Sequence, residues 1–248
     1  MLFDVHCHLS FPEFDCDRDM VIEKACKEGV YMVNSSVSPE ETRKAAELAE
    51  RHEKVYWTLG LSASETNEQK TLETIEAARR NRKNIIGLGE VGLDYYWIKD
   101  EKLRSREREN FRRFIELADE LRLPIVVHSR EAEEDCIRIL GEYGSNALMH
   151  CFSGSLEQAE KAAEMGCLIS IPTNLCHSKQ KQKLVKGLDL GCMALETDAP
   201  YLAPTPKTRN EPVNIKKTVE KIAEIKGVDE REVEEKTTEN SKRFFNLK

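Results

Sequence analysis

The sequence predicts an α/β fold, a single (β/α)8 TIM barrel, and three observations lead there. Short apolar runs, many of them β-branched, alternate with charged stretches of helical period. There are eight such runs, spread over 248 residues, a length that one barrel domain reaches. The side chains best suited to chemistry fall at the ends of the runs, where this fold keeps its active sites.

The expected strands are Leu2–Val5, Val30–Asn34, Val55–Leu59, Ile85–Leu88, Ile125–Val127, Asn146–Met149, Cys167–Ser170 and Met193–Leu195. Helices are expected between them at Arg18–Lys27, Pro39–Arg51, Thr71–Arg80, Ser105–Leu121, Glu131–Leu140, Leu156–Met165 and Lys179–Gly187. Ile215–Ile225 and Glu230–Asn240 complete the set. Ser38 before Pro39 reads as an N-cap followed by proline at the first helical position, and Asp229 reads as another N-cap. Gly29, Gly141 and Gly166 each follow a helical pattern, where a residue of positive φ is wanted. A doubly wound open sheet is the alternative, but it usually has fewer strands. No G-x-G-x-x-G opens the first helix. No repeat or low-complexity linker divides the chain, so residues 1–248 are read as one domain.

Composition narrows the function classes. With 40% hydrophobic and 33% charged residues the chain reads as soluble and globular. No apolar run of about 18 residues predicts a membrane span, and the opening MLFDVHCHLS does not resemble a secretion signal. The eight cysteines contain no C-x-x-C pair and read as reduced thiols of a cytoplasmic protein. A net charge of −7 gives no global pull toward nucleic acid, so any phosphate-binding surface must be local. A monomer without an obligate protein partner is the default expectation.

The polar strand ends point to a metal centre. His6 and His8 end the first run, and their i, i+2 spacing puts both on one side of an extended chain. Glu90 closes IIGLGE, His128 closes PIVVH, His150 closes ALMH, and Asp198 follows MALE. Four of the six histidines in the chain thus occupy strand ends. Imidazole and carboxylate together suit Zn, Mn or Co and tolerate Mg. Six ligands exceed one tetrahedral site with an open position. They suit two divalent ions about 3.5–4 Å apart with one bridging carboxylate. Asp198 can act both as ligand and as the base that takes a proton from the attacking water. The expected chemistry is metal-dependent hydrolysis, with Glu90 and Asp198 as its catalytic carboxylates.

These residues lie in stretches that resemble the TatD-type metal-dependent deoxyribonucleases, among the amidohydrolase-like barrel hydrolases. DVHCHLSFPEFDCD looks like the opening D-x-H-C-H-L of that family, and GLGEVGLDYYW resembles its A-I-G-E-I-G-L-D-Y. LPIVVHSREA, MHCFSGS, LETDAPYLAP, RNEP and TTENSKRFFNL follow in matching order. The resemblance implies one ion on His6, His8 and Asp198, a second on His128 and His150, and Glu90 between them. It implies a nuclease acting on DNA, of 3′→5′ exonuclease or repair type. An ester or amide hydrolase such as a D-aminoacyl-tRNA deacylase is the alternative, and a non-catalytic scaffold is disfavoured by the full ligand set. Asp4, two residues before His6, is a candidate partner behind the ligands.

One segment departs from the family. Where G-x-H-P is usual, this chain has Gly60-Leu61-Ser62-Ala63, which removes a substrate-facing histidine. Ser62 is a possible substrate contact. Arg130, two residues after His128, and Arg209, in PTPKTRNEP, are the preferred phosphate contacts. Lys207, Asn174 and His177 lie in loops of the same rim, and Tyr95, Tyr96 and Trp97 offer rings for stacking or loop packing. His52 and the basic stretch RSRERENFRRF read as outer surface.

Overall fold

Eight runs of apolar, β-branched residues become eight parallel strands, each hydrogen-bonded to the next in chain order, with the last closing on the first. In this computed structural model, which describes residues 1–144 and 146–248, the strands are β1 Leu2–Cys7, β2 Val30–Ser36, β3 Val55–Leu59 and β4 Gly87–Asp94. They continue as β5 Ile125–Arg130, β6 Ala147–Met149, β7 Leu168–Pro172 and β8 Met193–Glu196. Asp4 pairs with Leu195 where β8 meets β1. The helices are α1 Arg18–Lys27, α2 Thr42–Arg51, α3 Glu68–Asn81, α4 Glu101–Leu121 and α5 Glu133–Tyr143. α6 Leu156–Glu164, α7 Lys179–Gly187, α8 Ile215–Lys226 and α9 Glu230–Phe244 follow. The expected TIM barrel is present.

Two apolar clusters hold it together. The larger fills the layer between strands and helices, and includes Leu9, Ile22, Trp57, Phe111, Phe114 and Ile115. The smaller gathers Phe3, Val5, Val33, Val126, Leu148, Leu168 and Ala194 inside the barrel, with Phe244 and Phe245 packed among them. This anchoring explains why α9 runs on to Phe244 past the expected end at Asn240. Among the described residues no helix is long and apolar enough to cross a membrane.

Several boundaries move for identifiable reasons. α3 and α4 start earlier than expected because Asn67 and Asp100 cap them, each side chain accepting from two backbone N–H groups. Pro39 opens a short 3-10 turn, Pro39–Glu41, ahead of α2, and the Ser38 side chain makes no capping bond. Asp229 does cap α9, accepting from the Arg231 N–H. Gly29 and Gly166 have positive φ as expected, but Gly141 lies inside α5, and Gly144 takes the left-handed position that ends it.

The largest change concerns β4. Instead of stopping at Leu88 it continues to Asp94, with its register against β5 shifting between Leu88 and Val91. Glu90 therefore sits within the strand and not at its end. Gly60 makes this possible: a β-carbon there would come within 2.3 Å of the Glu90 carbonyl oxygen. The backbone of the atypical Leu61-Ser62-Ala63 segment also holds this point, since the Leu61 N–H donates to the Glu90 carbonyl at 2.9 Å.

Candidate metal centre

The barrel brings His6, His8, Glu90, His128, His150 and Asp198 into one cluster at the C-terminal rim. Glu90 lies at its middle. Its Oε2 is 3.3 Å from His6 Nε2 and 3.7 Å from His8 Nε2. Its Oε1 is 2.5 Å from His128 Nδ1 and 3.8 Å from His150 Nε2. Asp198 Oδ1 is 3.3 Å from His8 Nε2 and 3.8 Å from His6 Nε2. Two overlapping sets, His6–Glu90–His150 and His6–His8–Asp198, hold their donor atoms within 4.8 Å of one another. His128 belongs to neither set; its Nδ1 rests directly on Glu90.

Such a cluster is costly to bury unless its charges balance. Burial works against the Glu90 and Asp198 carboxylates, yet both are held below the ordinary range, Glu90 chiefly by the charges of His150 and His128, Asp198 chiefly by its contact with His8. Burial likewise opposes charge on the imidazoles. Glu90 and Asp94 overcome it and push His128 up to about 10, and Glu196 and Glu90 push His150 up to about 9. His6 moves the other way, lowered by burial and by the charge of His150. The carboxylates are thus kept as anions able to offer lone pairs to a cation.

The far sides of the rings are also held. His128 Nε2 lies 3.0 Å from Asp94 Oδ2, and His150 Nδ1 lies 2.8 Å from Glu196 Oε2, which Ser170 also contacts at 2.5 Å. His8 Nδ1 is 3.1 Å from the Ser35 carbonyl oxygen. These contacts fix which ring nitrogen faces the centre. His6 Nδ1 is buried with no hydrogen-bond partner among the described residues. The donors suit a divalent ion: imidazole nitrogen and carboxylate oxygen gathered in two overlapping sets, with the opposite edges of His8, His128 and His150 tied down. Asp94 and Glu196 are absent from the sequence expectations. Glu196 carried a signal, an acid directly following an apolar strand run.

Asp4 does not touch an imidazole. Its buried carboxylate accepts from the Thr197 N–H at 2.8 Å, the Thr197 hydroxyl at 2.6 Å and the His6 N–H at 3.3 Å, and so fastens β8 to β1.

A cavity of about 620 Å³ opens beside the cluster, reaching His128, His150 and Asp198. Arg130, Trp97, Asn174, Lys181 and Tyr201 are among its other lining residues. The Arg130 guanidinium stacks over the Tyr96 ring at 3.7 Å. No ion pair to Arg130 is found among the described residues. Arg209 is different. It forks onto both Asp17 oxygens at 2.8 and 2.6 Å, also donates to the Glu13 carbonyl, and does not line the cavity. Ser62 lies outside it too, with its hydroxyl 3.2 Å from that of Ser64. Lys207 is exposed, and His177 Nε2 sits 3.2 Å from the Ala203 carbonyl oxygen.

Tyr95 turns away from the cavity and donates to Asp135 at 2.6 Å. His52 faces Asp19. The basic stretch of α4 pairs outward, Arg108 with Glu101, Arg112 with Glu142 and Arg113 with Glu68. Lys181 was not anticipated. Its buried ammonium donates to the carbonyls of Cys151 and Phe152 and to the Ser153 hydroxyl, bracing the loop that follows His150.

A parallel eight-stranded barrel with a histidine–carboxylate cluster at its C-terminal rim is the architecture of a metal-dependent hydrolase. Residues 3–246 match the family described as TatD related DNase, and the chain belongs to that family. It is 38% identical over 259 residues to human Deoxyribonuclease TATDN3, covering 98% of this chain and 94% of that protein. It is 39% identical over 244 residues to a Methanocaldococcus jannaschii protein named Uncharacterized metal-dependent hydrolase MJ1582, covering 98% and 96%. In fold it is similar to the crystal structure of YJJV, a TatD homolog from Escherichia coli K12, with a TM-score of 0.92, 24% identity, and 100% and 98% of the two chains covered.

Proposed function

We propose that the protein cleaves DNA phosphodiester bonds, as a 3′→5′ exonuclease or repair-type nuclease, with two divalent ions drawn from Mg, Mn, Zn or Co. His6, His8 and Asp198 would hold one ion and His128 and His150 the other, with Glu90 between them. The observation that carries this reading is the division of the Glu90 carboxylate, one oxygen toward the His6–His8 pair and one toward the His128–His150 pair. When bound, such ions acidify water and neutralise charge that builds on phosphate oxygens.

The chain's own residues do the rest. Asp198, held as an anion on the cavity wall, accepts the proton of the attacking water. Arg130 offers a flat, unpaired guanidinium to a phosphate at the mouth of the same cavity. Trp97 and Tyr201, both exposed on its lining, give apolar faces on which a base can rest. The name of the human relative supports DNA as the substrate. Arg209 and Ser62, suggested by sequence position, have no place in this scheme, since neither reaches the cavity. We place the protein in the cytoplasm as a monomer, in keeping with eight free cysteines.

The test is an activity screen. Metal-stripped protein is reconstituted with each ion in turn and given labelled single-stranded DNA, an abasic duplex and a D-aminoacyl-tRNA. DNA cleavage that falls by about 10³-fold or more in Glu90→Ala is expected. Turnover of the aminoacyl ester alone, with both DNAs intact, overturns the assignment.

A further inference from the structure

Asp94 stands between two parts of the site that are otherwise separate. One carboxylate oxygen, Oδ2, lies 3.0 Å from His128 Nε2, on the edge of the ring opposite Glu90. The other, Oδ1, accepts the backbone N–H groups of both Tyr96 and Trp97 at 3.0 Å, closing the turn that leaves β4. The backbone of Asp94 is itself held from α4, where the buried Glu107 carboxylate accepts the Asp94 N–H at 2.9 Å. Asp94 therefore has little freedom to move without moving what it holds.

The turn it closes carries the rim of the cavity. Tyr96 stacks under the Arg130 guanidinium at 3.7 Å, and the Trp97 ring lies 5.8 Å from the same group. Asp94 and Arg130 are register partners across β4 and β5, and Tyr95 donates its N–H to the Arg130 carbonyl at 2.9 Å. The free guanidinium and the two rings thus form one unit. Its position depends on the carboxylate that also orients His128.

We propose that Asp94 is a positioning residue that couples the His128 side of the metal centre to the Tyr96–Trp97–Arg130 rim. Filling the centre and setting the rim for a phosphate-bearing, base-bearing substrate then become one event. The argument is geometric. His128 Nδ1 rests on Glu90 Oε1 at 2.5 Å, closer than two ligand atoms sit when they share one cation. Admitting a cation requires this contact to open, and whatever part of the opening the ring takes is carried by its other nitrogen to Asp94 and so to the turn. Because coupling free energy is reciprocal, a ligand that stabilises the rim tightens the hold on the cation by the same factor. This inference rests on the reading of His128 as a metal ligand.

Trp97 allows a test without turnover. The chain has two tryptophans; Trp57 is 1% exposed in the core and Trp97 is 65% exposed on the rim. Zn²⁺ is titrated into metal-stripped protein, binding is measured by calorimetry, and Trp97 is followed by emission and acrylamide quenching, with Trp97→Phe identifying its share of the signal. In the wild type, Zn²⁺ is expected to lower the quenching constant of Trp97 about twofold.

Asp94→Asn keeps an oxygen for the two turn N–H groups but presents an amide donor to His128. It should start from wild-type quenching and lose most of the response while still binding Zn²⁺. Asp94→Ala loses both contacts, so its quenching should be high before any metal is added. Zn²⁺ binding to the wild type with no change at Trp97, or a full response in Asp94→Asn, overturns the coupling and leaves the metal reading intact. Failure of the wild type to bind Zn²⁺ overturns both.

Discussion

Gly92 faces the main chain of His128 so closely that a β-carbon added to it would lie 2.0 Å from the His128 carbonyl oxygen. The two residues are register partners across β4 and β5, and Gly92 has a φ of 147°, a conformation that side chains with a β-carbon rarely adopt. Gly92→Ala therefore meets strain and a backbone clash together. It should destabilise the protein by about 3–5 kcal/mol and displace His128, which urea unfolding and metal content would both register. A variant of wild-type stability and metal content would show that the strands can part at no cost.

Arg130 and Arg209 look alike in sequence and differ in what they touch. Arg130→Ala should raise KM for an oligonucleotide several-fold, most strongly at low salt, with kcat nearly unchanged, because a free guanidinium is removed from the cavity mouth. Arg209→Ala should leave KM alone. It breaks an exposed fork to Asp17, for which a stability change of about 1 kcal/mol or less is expected. Steady-state kinetics at two ionic strengths separates the two.

Lys181 predicts a structural effect with a local consequence. Lys181→Met would orphan the Phe152 carbonyl, a loss of about 1–3 kcal/mol, while the Cys151 carbonyl would keep the Ser153 hydroxyl as donor. The loop it braces begins at His150, so metal content should fall along with stability. Lys181→Arg, which keeps the charge and the donors, should recover part of both.

Glu107 should give the protein an acid-side stability slope. Burial, with a smaller contribution from the Asp94 charge, outweighs the backbone hydrogen bond and pushes its carboxyl from 4.5 up to about 7. Between those values the folded protein holds a proton that the unfolded chain has released. The stabilisation is complete below about 4.5 and is lost as pH rises through about 7. In Glu107→Gln that slope, on the order of 3 kcal/mol, should vanish, leaving the variant more stable than the wild type at pH 8. Urea midpoints at pH 5 and pH 8 decide the matter.

The barrel and the six clustered side chains were legible in the sequence because both follow from local rules. A parallel strand reads as a short apolar run, and this fold concentrates chemistry where such runs end. What escaped depends on residues distant in sequence or on irregular backbone. The register shift that puts Glu90 inside β4 has no period to betray it. Arg209 looked free because its partner, Asp17, is 192 positions away. Asp94 gave no sequence signal because its carboxylate's three contacts are to two backbone N–H groups and one ring. Lys181 was missed for a different reason. K-Q-K-Q-K suggests a solvated face, yet Lys181, Leu184 and Val185 are spaced i, i+3, i+4 on the buried side of α7.

The bond between Asp4 and Thr197, 193 positions apart, has a meaning for how the protein comes into being. His6 and His8 emerge from the ribosome early, whereas Asp198 emerges only with the last barrel strand. At about 5–20 residues per second, the interval is on the order of 10–40 s. Throughout that time the nascent polypeptide carries two imidazoles without the carboxylate that faces them, and an open sheet where the closed one will be. The closed ring of donors thus forms only once the last barrel strand has joined the first.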